Sequence, residues 1–292
     1  MKVGFIGAGK VGFSLGRYFK ENQITVTGYY SKSPESAAEA AHFTNTNIYR
    51  TMESIVEDSD TLFLTVPDGQ INDVWAYMKN FNVKNKRICH CSGSIASTTF
   101  FDFDKKGAKV YSVHPLYAIG DKYNSWKTLK NACFTVEGTA DGIEEIQNLL
   151  AGCGNKVILM EPSKKTLYHS AAVAASNLVI GLFHVSARLL EQCGFEKNDA
   201  YTALMPLFQG NAQAVAENGP VNALTGPVER NDISTVQNHL KAFEAEGNLE
   251  RETEIYRLLS TELIKIAMEK HPERDYRNLV EVLQNEEHSG NL

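Results

Sequence analysis

Three things are scarce in this chain of 292 residues: excess positive charge, paired cysteines and uninterrupted apolar sequence. Lysine and arginine number 29 against 35 acidic residues, a formal net charge of −6 at pH 7. With no basic field to gather phosphate backbones, nucleic acid is set aside as a partner. Five cysteines, an odd number without a CxxC pair, describe neither a disulfide framework nor a zinc site. Cys89, His90 and Cys91 form one cluster of ligating side chains. Alternation along a strand sends the two cysteines to one face and the histidine to the other, which is core packing, and no metal is expected. No segment is read as reaching the roughly 20 apolar residues of a membrane span. Met1 and Lys2 lead straight into an apolar strand pattern, without the sections of a secretory leader. The expectation is a cytoplasmic protein with no membrane partner.

What is present is a change of pattern partway along the chain. The first half alternates short β-branched runs, at 3–6, 24–30, 61–66, 87–91, 108–113, 132–136 and 156–160, with helical stretches. That order predicts an α/β fold, a doubly wound parallel sheet wrapped by helices. From about Pro162 the alternation stops and helical patterns continue to the polar tail at 286–292. Two domains follow: a nucleotide-binding Rossmann domain over 1–161 and an all-α domain for substrate and dimerisation over 162–292. Residues 163–192 read as one long helix, apolar through most of its circumference and so buried on several sides, the spine of that domain and a contact for a homodimer.

Gly7-Ala8-Gly9-Lys10-Val11-Gly12 directly follows the first strand and opens a helix, the setting in which GxGxxG binds a dinucleotide. Gly7 allows the tight turn, Gly9 lets backbone approach a pyrophosphate, and Gly12 lets helix and strand pack closely. Free N–H groups at the helix start receive the negative charge. At the end of the second strand an acid would bond the ribose of NAD, but the residues are Ser31, Lys32 and Ser33. Two hydroxyls and an ammonium suit a 2′-phosphate, so NADP is expected over NAD, with Ser33 also able to cap the next helix. Val66 and Pro67 are expected to wall the nicotinamide half, and Asp68 to start a helix.

The loops Ser92-Gly93-Ser94 and His114-Pro115-Leu116 are expected to open on the same sheet edge, Ser92 toward the cofactor, Ser94 and His114 toward substrate. Alternative uses are turns that satisfy their own amides. On the long helix Lys165, His169, Ser176 and Asn177 fall on one arc. Buried polar groups need partners, and a cleft between the domains would supply them; His184 is read instead as bonded between helices, and His239 as exposed. Arg230, in the polar Gly-Pro turn 224–232, is a candidate to grip a carboxylate, with Asp232 an equal partner for it.

Together these residues resemble the Rossmann-like NAD(P) oxidoreductases that carry a C-terminal helical domain of unknown function, in the 6-phosphogluconate dehydrogenase-like superfamily. The resemblance covers nearly the whole chain and rests on 7–12, 65–68, 92–94, 112–116, the Tyr-His-Ser-Ala-Ala run within 167–177, and 224–232. Its likeness to alternative-class ketopantoate reductases implies hydride transfer between nicotinamide and a small 2-oxo or 2-hydroxy carboxylate. His169, or else Lys165, supplies the proton, Asn177 orients the carbonyl, and Ser176 and Arg230 hold substrate. Pyrroline-5-carboxylate and imine reductases, and prephenate dehydrogenases with their similar His-Pro loop, are alternatives. A non-catalytic NADP-binding redox sensor is another. Asn231 stands where the resemblance leads one to expect glycine.

Overall fold

The computed structural model describes residues 1–284; the tail read at 286–292 lies outside them. Within 1–284 the chain forms two compact units, Met1–Ser176 and the residues from Asn177 onward. The division falls inside the stretch read as one helix rather than at residue 162.

The first unit strings together β1 (Lys2–Ile6), α1 (Lys10–Glu21), β2 (Thr25–Tyr30), α2 (Pro34–Thr44), β3 (Asn47–Ile48), α3 (Met52–Asp58), β4 (Thr61–Leu64), α4 (Ile71–Met78), β5 (Arg87–His90), β6 (Lys109–Leu116), β7 (Cys133–Gly138), α5 (Ile143–Gly152), β8 (Lys156–Leu159) and α6 (Lys165–Ala174). The strands make one sheet in the order β3-β2-β1-β4-β5-β6-β7-β8. Its first six positions reproduce the doubly wound dinucleotide-binding order, with the switch point between β1 and β4. Both faces are covered, so successive strand residues enter different cores. Val3 and Phe5 join the side packed by α1, α2 and α5, while Ile6 joins the side packed by α3 and α4. In β4, Leu62 and Leu64 face α4, and Phe63 points the other way, meeting Phe5 and Phe19 at 5.7 and 5.6 Å between ring centres.

Two features depart from the pattern expected of a parallel sheet. The two-residue strand β3 is too short to show a period of its own. β7 runs antiparallel to β6, and this pairing draws His114, Pro115 and Leu116, read as a loop, into the strand opposite Thr135, Phe134 and Cys133. β5 ends opposite Ser112, so the last residues of β6 keep one unpaired edge, where proline is tolerated.

The helix expected over 163–192 is two helices, α6 and α7 (Asn177–Gln192), parted at Ala175 and Ser176. The Ser176 hydroxyl donates to the Ala172 carbonyl at 2.7 Å, a local bond that bends helices. Nor is this stretch buried on several sides: Leu167, Leu178 and Ile180 are 62–70% exposed. By length and composition 162–192 is apolar enough to cross a membrane, against the expectation that no segment is. Lys165 and His169 lie within it, and it is interrupted at Ala175 and Ser176.

In the second unit α7 packs on α8 (Lys197–Ala223), with Phe183 against Phe208 and Tyr201. Gly219, at φ 73°, and Pro220 kink the end of α8. α9 (Ile233–Glu246), α10 (Glu250–Lys270) and α11 (Arg277–Gln284) close around Val236, Leu240, Ile264 and Leu279.

Phe63 is fully buried at the middle of the sheet. Phe63→Ala is expected to cost about 3–5 kcal/mol through lost burial and an uncollapsed cavity. Urea unfolding followed by tryptophan fluorescence checks this through the transition midpoint.

Candidate active site

The glycine turn is built as its spacing requires. Gly7 has φ 103°, and a Cβ there would stand 2.7 Å from the Thr65 carbonyl oxygen. A Cβ on Gly12 would meet the Thr65 hydroxyl and the Gly7 carbonyl, whereas one on Gly9 would meet nothing closer than 3.8 Å. Gly7 and Gly12 are thus demanded by packing, and Gly9 leaves open backbone facing the cavity. Thr65 donates to the Gly7 carbonyl at 2.8 Å, tying the end of β4 to the turn. No side chain caps α1 and no acid sits in its first turn, so its leading amides can receive an anion.

A cavity of about 500 Å³ opens here, lined by Gly7 to Gly9, Ser31, Lys32, Ser36, Val66 and Pro67 among others. These residues fit the diphosphate and adenosine half of a pyridine nucleotide, with Lys32 the cation at its rim. Ser36, in the first turn of α2, carries no local signal that would mark it in the sequence. Ser33 does not line the cavity: its hydroxyl accepts from the Ser36 amide and donates to Glu35. Lys10 begins α1 exposed, and Val11 packs on the core.

A second constellation lies beyond Asp68. Its carboxylate accepts from Ser92 at 2.7 Å and Ser94 at 3.1 Å, while Ser92 Oγ accepts from the amides of Ser94 and Ile95. Ser92 therefore shapes the loop, and Asp68 is its clamp rather than only a helix start. The clamp aims Gly93 at two imidazoles, because a Cβ there would sit 2.6 Å from His169 Nδ1 and 2.9 Å from His114 Nε2. His114 Nδ1 pairs with the Tyr168 hydroxyl at 2.6 Å, and His169 Nδ1 is buried without a hydrogen-bond partner.

Lys165, one turn before His169, is 2% exposed and donates to Ser112 at 2.7 Å. One partner for three ammonium protons is poor compensation, and burial pulls its pKa down to about 8 against the opposing charge of Glu137. Glu137, equally buried, stands opposite Ser112 across the β6–β7 pair and accepts from the Ser97 amide and hydroxyl. Burial, then the charge of Lys165, holds His114 at about 4; burial does the same to His90. Both rings stay neutral at physiological pH.

The structure thus gathers His114, Lys165 and His169 with Gly93, and adds Tyr168, Asp68 and Glu137. Tyr168 sits inside the Tyr-His-Ser run, but Glu137 depends on the register of an antiparallel strand that nothing local announces. Ser176 closes the first unit, and Asn177 and Arg230 belong to the second. There the turn 224–232 is fastened within its own unit, since the Glu229 carbonyl accepts from Arg274 and Tyr276. Asn231 takes φ 57°, the left-handed conformation for which glycine was expected, and Asp232 caps α9 through Thr235. Arg230 and His184 are exposed, the latter not bonded between helices as expected; His239 meets the Tyr256 hydroxyl at 2.9 Å. All five cysteines are free thiols, and among the described residues no group of His, Cys, Asp and Glu is arranged to hold a metal ion.

Sheet order, glycine turn and cavity define a class, the Rossmann-type NAD(P)-dependent oxidoreductases. Residues 2–88 match the family described as NADP oxidoreductase coenzyme F420-dependent, and residues 132–263 match the Domain of unknown function (DUF2520). The chain joins an NADP oxidoreductase domain to a DUF2520 domain, and the second match begins at β7, inside the first unit. No curated protein matches it by sequence. Among solved structures it is similar to a protein from Thermotoga maritima, with 25% identity, TM-score 0.71, and 94% of this chain and 100% of the other covered. It is also similar to the imine reductase from Pseudomonas sp., at 17% identity, TM-score 0.60, and 91% and 97% coverage. The Plasmodium falciparum pyrroline carboxylate reductase with NADP bound gives 13%, 0.56, and 92% and 96%. At such low identities the last two speak for the fold alone.

His90 and His114 bind fewer protons folded than unfolded between about pH 4 and the ordinary histidine value of 6.5. The unfolded chain takes up more protons across that window, so stability falls as pH falls. The expected loss is on the order of 1.4 kcal/mol per pH unit for each histidine. Urea titrations at pH 7, 6 and 5 measure it, and His114→Gln should reduce the slope by about half.

Proposed function

We propose that this chain uses NADPH to reduce the carbonyl of a small 2-oxo carboxylate. The observation that carries the reading is one unit holding both a glycine cradle for a dinucleotide and two imidazoles converging on Gly93. When bound, the reduced nicotinamide supplies a hydride. His169, whose buried Nδ1 has no protein partner, gives the proton to the oxygen, with Lys165 one turn away sustaining positive potential. The two acids in the group are already engaged, Asp68 by two serine hydroxyls and Glu137 by the Ser97 amide and hydroxyl, which leaves the imidazoles as the proton donors. Lys32, with Ser31 and Ser36, supports NADP over NAD, since the cavity wall at the end of β2 carries no carboxylate. Similarity to pyrroline-carboxylate and imine reductases favours a cyclic imine as the second reading.

A screen of 2-oxo acids and cyclic imines with NADPH and NADH, followed at the nicotinamide absorbance, tests the reading. Lys32→Glu is expected to raise KM for NADPH about tenfold or more, the worth of one charge-assisted contact, while leaving NADH little changed. His169→Ala should lower kcat about a hundredfold and leave NADPH affinity intact. Tight NADPH binding with no turnover of any candidate would instead mark a redox sensor.

The homodimer belongs to the same proposal. Leu178, Ile180 and Leu182 on α7, with Leu207, Phe208 and Val215 on α8, are 39–69% exposed. They present on the order of several hundred Å² of apolar surface, near the share one partner buries in a standard interface. A second copy of this chain is the occupant that fits. Sedimentation velocity at micromolar concentration should give a dimer, and Ile180→Glu a monomer; a wild-type monomer throughout removes this part.

A further inference from the structure

Tyr168 is a polar side chain of α6 to which the chemistry above gives no task, and it touches the site. Its hydroxyl lies 2.6 Å from His114 Nδ1, the two rings meet edge to face at 85°, and Lys165 Nζ stands 5.4 Å from its ring centre. An imidazole nitrogen is far more basic than a phenol oxygen, so in this pair the O–H donates and Nδ1 accepts. The nitrogens of one ring are linked: an accepting Nδ1 leaves the proton on Nε2. His114 Nε2 is the atom that approaches Gly93, beside His169 Nδ1. The charged and titratable neighbours acting on His114 are Lys165 and His169 from α6, Asp68 beyond β4 and His90 from β5. Burial and the nearby ammonium keep the ring neutral, with one proton to place.

We propose that Tyr168 is a positioning residue: it fixes His114 as the Nε2–H tautomer, a neutral donor at Gly93, so that the site takes an oxo substrate in preference to a protonated cyclic imine. A carbonyl oxygen accepts the Nε2–H bond, whereas an iminium nitrogen offers only a donor and would set donor against donor. On reduction the carbon gains the hydride, the oxygen gains a proton from His169, and Nε2–H steadies the growing charge without giving up its own proton. The substrate half of the inference rests on the oxidoreductase reading above; the tautomer half does not.

Long-range proton–nitrogen NMR on the full chain, with and without NADPH, reads the tautomer directly. At pH 7 His114 should appear neutral with Nε2 protonated, and in Tyr168→Phe the population should move toward Nδ1–H. An Nδ1–H ring in the unaltered protein, or an unmoved population in the variant, overturns the positioning role. In kinetics, Tyr168→Phe should lower kcat toward a 2-oxo acid roughly tenfold or more with KM for NADPH unchanged. Faster turnover of cyclic imines than of 2-oxo acids by the unaltered protein overturns the substrate half. If neither class turns over, the oxidoreductase reading fails, while the NMR result still decides what Tyr168 does.

Discussion

The contact on which the rest depends is the close approach of β4 to the glycine turn. Thr65 is wedged between the Gly7 carbonyl, which its hydroxyl bonds, and Gly12, whose missing Cβ leaves it room. That arrangement fixes the start of α1, where unpaired amides gather, and it sets Val66 and Pro67 along the same cavity. A methyl group at either glycine would push the strand from the turn. Asp68 follows at once and holds the Ser92–Ser94 loop, so one stretch of four residues organises both the cradle and the position of Gly93.

The second organising element is a buried charge. Lys165 anchors α6 to the sheet through Ser112, and Glu137 on the antiparallel strand supplies the opposing charge. An ammonium this deeply buried contributes little to stability, because desolvation consumes most of the attraction. Its effect is geometric. With Lys165 seated, the next turn of α6 brings Tyr168 to His114 Nδ1 and His169 over Gly93. The helical break at Ser176 then ends the unit about two turns after these side chains.

The legible parts of the molecule were those whose chemistry is local. GxGxxG after a strand, the alternation of strand and helix, and the absence of an acid near Lys32 are all properties of neighbours in sequence. Nothing local marks His114 as a strand residue, because its strand is extended by pairing with β7, a partner about twenty residues further along. The pattern over 163–192 looks continuous because serine and asparagine do not by themselves end a helix. At the break the Ser176 hydroxyl bonds back to the Ala172 carbonyl.

The amino-acid order by itself determined the doubly wound sheet, the position of the cradle and the helical character of the second half. Each follows from periodicity or from backbone freedom within a few residues. Only the tertiary structure decided that Asp68 clamps a serine loop, that Glu137 and Lys165 share a buried region, and that Tyr168 meets His114. Those relations join residues tens of positions apart, and their energies exist only once strand register and burial have removed water from between them.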